Sequence, residues 1–217
     1  MYKTVVFDLD GTLLNTLTDL ADAGNRLCRK YGWPTHERQA YRYFVGNGIP
    51  KLVERLAPAD QRTPAVLEAA LVDFKRNYGQ HLRDTTAPYP GIPEMLAKLK
   101  ANGVQLAVFS NKADALAKEV VKDYFGTQYF TIVRGQMTGV APKPAAEGTN
   151  ALLQALHADP ASTLYVGDSN VDVETAHNAN LPCCGAVWGF RTREELNAAG
   201  AEYLAENSDE LYDVIMK

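Results

Sequence analysis

Four short apolar runs punctuate the chain, and each ends in polar or glycine-containing sequence: Val5–Leu9, Val104–Ser110, Thr163–Gly167 and Cys183–Trp188. Runs of this length, bounded by turn residues, predict buried strands. Helix-length segments lie between and after them, at Ile92–Ala101, Asp114–Tyr124, Ala145–His157 and Val171–Asn178. Apolar strands alternating with helices predict an α/β fold, a parallel sheet with helices on both faces.

The stretch from about Leu14 to Pro88 breaks this alternation. It follows one strand, holds no comparable second strand, and carries helical stripes at Leu17, Leu20, Ala21, Ala23, Gly24 and Leu27 and at Val66, Leu67, Ala70, Leu71 and Phe74. Breakers at Gly32-Trp33-Pro34, Gly46-Asn47-Gly48, Ala57-Pro58 and Thr63-Pro64 divide it. The pattern predicts a helical cap over residues 15–88, inserted into a sheet domain made of residues 1–14 and 89–217.

Composition narrows the class. The 217 residues are 46% hydrophobic and 22% charged, which suits a globular chain whose core is large enough to do without disulfides. A formal net charge of -4 leaves no basic footprint for nucleic acid. No apolar run is long enough to span a bilayer, and no signal peptide precedes the first strand. Of the three cysteines, Cys183 and Cys184 are adjacent, without metal-ligand spacing, and read with Cys28 as packing residues of a reducing, cytoplasmic compartment.

Chemistry gathers at the strand ends, where open parallel sheets bind ligands. Asp8 and Asp10 flank Leu9, so an extended backbone sends both carboxylates to one side. Paired carboxylates repel unless a cation or proton intervenes, and Mg²⁺ suits a few carboxylates together with phosphate oxygens. Gly11 permits the turn that follows. Ser110 and Asn111 end the second run with a hydroxyl and an amide that can meet phosphate oxygens, or that merely cap the next helix. Lys143 stands between Pro142 and Pro144, a cation that could hold a phosphoryl oxygen. Asp168 ends the third run, with Asp172 about one helical turn later.

These four segments, Asp8-Leu9-Asp10-Gly11-Thr12, Ser110-Asn111, Lys143-Pro144 and Gly167-Asp168-Ser169 with Asp172, resemble the signature motifs of the haloacid dehalogenase superfamily, in order. Val45-Gly46-Asn47-Gly48 and Trp188-Gly189-Phe190-Arg191 resemble its phosphoglycolate-phosphatase-like branch. The resemblance implies a Rossmann-like core with a helical cap inserted after the first motif. It implies Asp8 as nucleophile and Asp10 as general acid/base. Mg²⁺ would be held by Asp8, the Asp10 backbone carbonyl and Asp168. Thr12, Ser110, Asn111 and Lys143 would contact the phosphoryl group, and Asp172 would support Lys143 or a metal-bound water. Two positions depart from that branch: Asn15-Thr16 stands where Asp-Ser is common, and Asn47 where the cap loop often has His.

The expected activity is hydrolysis of a small phosphate monoester, phosphoglycolate-like, by a monomer or homodimer. Gly46 and Asn47 with Lys51 in the cap loop are the expected substrate readers, Lys51 through a small carboxylate. A dehalogenase would lack the acid at position 10. A phosphomutase of the same superfamily is the competing enzyme, against which Thr12 argues. A non-catalytic regulatory protein keeping the fold would have lost Asp8, Asp10, Lys143 or Asp168, and all four are present.

Overall fold

The computed structural model describes all residues, Met1–Lys217, and divides them into two compact units: Met1–Leu14 with Pro88–Lys217, and Asn15–Ala87. In the first unit, β1 (Thr4–Phe7) leads toward β2 (Leu14–Asn15), where the chain leaves. The second unit contains α1 (Leu17–Tyr31), α2 (Tyr41–Phe44), α3 (Ile49–Leu56) and α4 (Pro64–His81). The chain returns through β3 (Ala87–Pro88), which pairs with β2 as a two-stranded ribbon.

From there α5 (Ile92–Ala101), β4 (Gln105–Ala113), α6 (Asp114–Phe125), β5 (Phe130–Gln136) and α7 (Ala146–Leu156) complete one side of the sheet. The other side is built from β6 (Thr163–Gly167), α8 (Asn170–Asn178), β7 (Cys183–Ala186), α9 (Arg193–Ala199), β8 (Tyr203–Ala205) and α10 (Ser208–Met216). The six strands run in the order β5-β4-β1-β6-β7-β8, all parallel. This is the expected α/β fold with a helical insert.

Strand periodicity distributes the core. Val6, Ala107, Tyr165 and Cys183 point to one face and pack with Leu152, Leu153 and Leu156 of α7, Val173 and Ala176 of α8 and Leu196 of α9. Their neighbours Val5, Phe7, Leu106, Val108, Leu164 and Cys184 are equally buried. All three cysteines are buried and unpaired, as packing residues should be. No helix is long and apolar enough to cross a membrane.

The ribbon strands β2 and β3 lie outside the predicted set, as do α9, α10 and, in the six-stranded sheet, β5 and β8. β5 and β8 are the edges of that sheet. Five of the seven β5 residues are only half-buried, so Phe-Thr-Ile-Val-Arg-Gly-Gln never makes a continuous apolar run. β4 also extends past Ser110 to Ala113, carrying Asn111 and Lys112 within the strand.

Within the insert, α1 buries Leu20, Ala23, Gly24 and Leu27, and α4 buries Ala70, Phe74 and Tyr78. A Cβ on Gly24 would strike the Tyr41 ring, so the glycine lets α2 pack closely on α1. Asp19, in the first turn of α1, is buried and collects the returning chain. Its Oδ1 accepts from Thr85 N and Oγ1 at 2.9 and 2.6 Å, and its Oδ2 from Thr86 N and Oγ1 at 2.9 and 2.7 Å. Removing that acceptor strands the buried donors of Thr86. Asp19→Ala is therefore expected to destabilise this segment by about 2 kcal/mol or more, which is about thirtyfold faster amide exchange at Thr85 and Thr86. Exchange within about threefold of wild type would mean the clamp contributes little.

Candidate active site

β1 is central, and β4 and β6 flank it. Chain direction diverges there, β4 leading outward to one side and β6 to the other, so a crevice opens beyond the strands' carboxyl ends. Asp8 follows β1, Ser110, Asn111 and Lys112 end β4, and Asp168 follows β6. Sequence-distant carboxylates are thus brought together by strand order alone.

Lys143 organises the centre. Its Nζ lies 2.8 Å from Asp8 Oδ1 and 2.7 Å from Asp172 Oδ1, and donates to Tyr165 Oη at 3.2 Å and to the Phe109 carbonyl at 3.3 Å. Desolvation of this fully buried ammonium disfavours its charge, but Asp172 and Asp8 outweigh it and hold the pKa well above the usual lysine value. Asn111 fixes the lysine's backbone from both sides: its Oδ1 accepts from Lys143 N at 2.8 Å, and its Nδ2 donates to Lys143 O at 3.2 Å. Asn111 therefore does not cap α6, whose N-cap is Ala113.

Asp172 is committed on both oxygens. Oδ1 faces Lys143, while Oδ2 accepts from Ser169 N at 3.1 Å and Ser169 Oγ at 2.7 Å in the capping box of α8. Asp168 accepts from Phe190 N at 2.7 Å on Oδ2 and from Thr12 Oγ1 at 3.1 Å on Oδ1. Trp188 Nε1 closes this wall by donating to the Thr12 carbonyl at 3.0 Å. Gly11, at φ 92°, and Gly189 hold Asp168 between them; a Cβ on either would collide with its side chain. Ser110 is buried in β4, its Oγ accepting from Lys112 N at 3.3 Å.

Asp8 is different. Lys143 stands at ion-pair distance, yet Asp8 Oδ1 is fully buried and receives no aligned hydrogen bond. Carboxylate oxygens of Asp8, Asp168 and Asp172 all lie within 4.8 Å of one another. Desolvation raises the Asp8 pKa to about 6, against the pull of Lys143, and raises Asp168 well above the ordinary carboxylate range, with Asp172 and Asp8 adding to the effect. Of the four carboxylates, Asp8, Asp10, Asp168 and Asp172, two lysines offset two charges. A buried oxygen without an aligned hydrogen bond and a surplus of negative charge are what a divalent cation would relieve. Asp8, Asp168 and Asp172 together are the carboxylates that could hold one, Asp172 also serving Lys143 and Ser169 and Asp168 also accepting from Phe190 N and Thr12 Oγ1.

Sequence reasoning missed Lys112, buried and bound to both oxygens of Asp10 at 3.0 and 3.2 Å. Only its place beside Ser110-Asn111 hinted at a role. The insert residues belong to the other unit. There Gly46 and Gly48 have positive φ, and Arg55, also unforeseen, holds Asn47 Oδ1 at 2.9 Å and the Phe44 carbonyl at 2.8 Å. Lys51 is exposed and pairs with Glu54 at 2.7 Å.

A fold and carboxylate cluster of this kind define a hydrolase class, and comparison with known proteins agrees. The chain is similar to a solved structure from Lactobacillus delbrueckii subsp. bulgaricus, proposed as a phosphoglycolate phosphatase, with TM-score 0.93 and 28% identity over 99% of this chain and 98% of that one. It is 31% identical to the phosphoglycolate phosphatase of Chromobacterium violaceum over 98% of this chain and 96% of the relative. To that of Neisseria meningitidis it is 33% identical, over 87% of this chain and 81% of the relative. Residues 5–186 match the model of the haloacid dehalogenase-like hydrolases. The chain belongs to this family, in its phosphoglycolate-phosphatase-like branch.

The raised carboxyl pKa values give a pH prediction. Asp8, ordinarily near 3.8, titrates at about 6 in the fold. The metal-free native state therefore binds more protons than the unfolded chain between these values, and stability falls as pH rises through that window. Asp168 shifts in the same direction. A divalent cation needs the ionised forms and removes the penalty. The rise in melting temperature on adding Mg²⁺ should be small near pH 5 and larger near pH 7.5. A shift independent of pH, or largest near pH 5, would contradict this account of the cluster.

Proposed function

We propose that the chain is a magnesium-dependent phosphatase that hydrolyses a small phosphate monoester, phosphoglycolate-like, through an aspartyl-phosphate on Asp8. The carrying observation is the environment of Asp8: a buried carboxylate whose Oδ1 has no aligned donor, beside a lysine held in its charged form. That oxygen is available to form a bond, and the adjacent ammonium can offset charge on a phosphoryl group.

In this reading Asp8 attacks phosphorus in line, forming an Asp8–phosphorus bond as the ester oxygen–phosphorus bond breaks. Asp10 gives a proton to the departing oxygen. Asp10 then takes a proton from a water whose oxygen displaces Asp8 from phosphorus, which restores the enzyme and releases phosphate. Lys143 balances the growing negative charge, with Asp172 fixing its ammonium. Thr12, Ser110 and Asn111 are assigned to the phosphoryl pocket, Asn111 also anchoring the lysine. Asp8, Asp168 and the Asp10 backbone carbonyl would hold Mg²⁺, which when bound would neutralise phosphoryl oxygen charge. Gly46, Asn47 and Lys51 are the insert's contribution to substrate choice, though the Lys51–Glu54 pair makes Lys51 the weakest of them.

The direct test is hydrolysis of p-nitrophenyl phosphate with Mg²⁺ and with chelator. Wild type should turn over only with the metal. Asp8→Asn, folded by circular dichroism, should lose several orders of magnitude in kcat, because a covalent nucleophile is removed. Activity within about tenfold of wild type would reject Asp8.

Asp168→Ala should raise the Mg²⁺ concentration needed for half-maximal activity by about tenfold or more. An unchanged magnesium titration would put the metal elsewhere.

A further inference from the structure

Lys112 has no part in the steps above beyond its contact with Asp10, yet it is the more unexpected of the two buried lysines. Its side chain is only 2% exposed. Burying a lysine forfeits hydration and several freely rotating bonds, so its position demands a compensating interaction. β4 carries it, two residues past Ser110, whose Oγ accepts from Lys112 N at 3.3 Å, where the pairing of β4 with β5 shifts register between Phe109 and Ala113. The segment is firmly backed, since Gly135 of β5 lies so close that a Cβ would strike the Lys112 carbonyl, and Gly135 N donates to Asp114 Oδ1 at 3.0 Å. The result is an ammonium fixed on both Asp10 oxygens, at 3.0 and 3.2 Å. Lys143 serves a different pair, Asp8 and Asp172.

We propose that Lys112 reads the charge of the leaving group and selects esters whose alcohol carries a carboxylate next to the ester-bearing carbon. The inference rests on the phosphatase reading. If Asp10 hands its proton to the departing oxygen, the Asp10 carboxyl marks where that oxygen sits, and Lys112 lies on the same side. In a phosphorylated 2-hydroxy acid a single carbon separates the ester oxygen from the carboxylate. With Asp10 holding the proton it is to donate, the Lys112 charge is not offset by Asp10, and that carboxylate enters the field of a buried ammonium, where screening is weak. A neutral alcohol in the same place gains nothing from it. Lys51, exposed to screening solvent, is a poorer reader of the same charge.

The experiment compares kcat/KM on 2-phosphoglycolate and on 2-hydroxyethyl phosphate, its uncharged-alcohol counterpart, for wild type, Lys112→Met and Lys112→Arg. Wild type should prefer phosphoglycolate. Lys112→Met should lose at least about tenfold more on phosphoglycolate than on the neutral ester, mainly through KM, and Lys112→Arg should keep the preference. Equal losses on both esters would reduce Lys112 to a positioning residue for Asp10 and overturn the proposal, as would no loss or a wild type without the preference. Should Lys112→Met fail to fold, inhibition of wild type decides: glycolate must inhibit more strongly than ethylene glycol, and equal inhibition overturns the proposal. Wild-type turnover of p-nitrophenyl phosphate separates the two levels. If it is present while the preference is absent, only the role of Lys112 falls; if no ester is hydrolysed, the phosphatase reading falls and takes this one with it.

Discussion

Like charges crowded into a buried space set the terms for the catalytic unit. The sheet order puts the ends of β1 and β6 side by side, and with them Asp8 and Asp168, while α8 contributes Asp172. Left alone such a cluster would protonate or push apart. Lys143 opposes both at Asp8 and Asp172 by bridging them. Much of the neighbouring polar structure serves that bridge. Asn111 clasps the lysine's backbone, Ser169 turns the second Asp172 oxygen away, and Tyr165 and the Phe109 carbonyl accept from the ammonium. What the bridge leaves over is an Asp8 oxygen held by an ion pair without an aligned hydrogen bond, and a residual negative charge, two conditions that suit metal-assisted phosphoryl chemistry.

Asp168 shows how local geometry is subordinated to this cluster. Two glycines from separate loops give it room, and Phe190 N and Thr12 Oγ1 each take one of its oxygens. The motif at Trp188–Arg191 thus acts as a wall of the site, with backbone and indole donors facing Asp168 and Thr12.

Much of this was legible in the chain. β6 and α5 follow their predicted bounds, because a continuous apolar run and an amphipathic stripe each carry a single clear period. β5 and β8 were not legible: β5 mixes polar residues into its apolar ones, and β8 is three residues long, too short to show a period. Asp8, Asp10, Lys143 and Asp168 stood out through their motifs. The partner of Asp10 did not: nothing in the spacing of Lys112 indicates that β4 runs on and turns it inward. Arg55 was equally hidden, since an arginine near the end of a surface helix looks the same whether it is solvated or gripping the carbonyls of a preceding loop. Contacts that depend on tertiary closure leave no local pattern.

The central claim is that Asp8 carries the phosphoryl group, and it can be read directly. Enzyme turning over substrate in the presence of Mg²⁺ is quenched in acid, digested, and searched by mass spectrometry for a hydroxylamine-sensitive phosphoryl adduct. The account predicts that adduct on the peptide containing Asp8, with none formed by Asp8→Asn. An adduct on any other residue, or sustained turnover by the Asn variant without one, would contradict it.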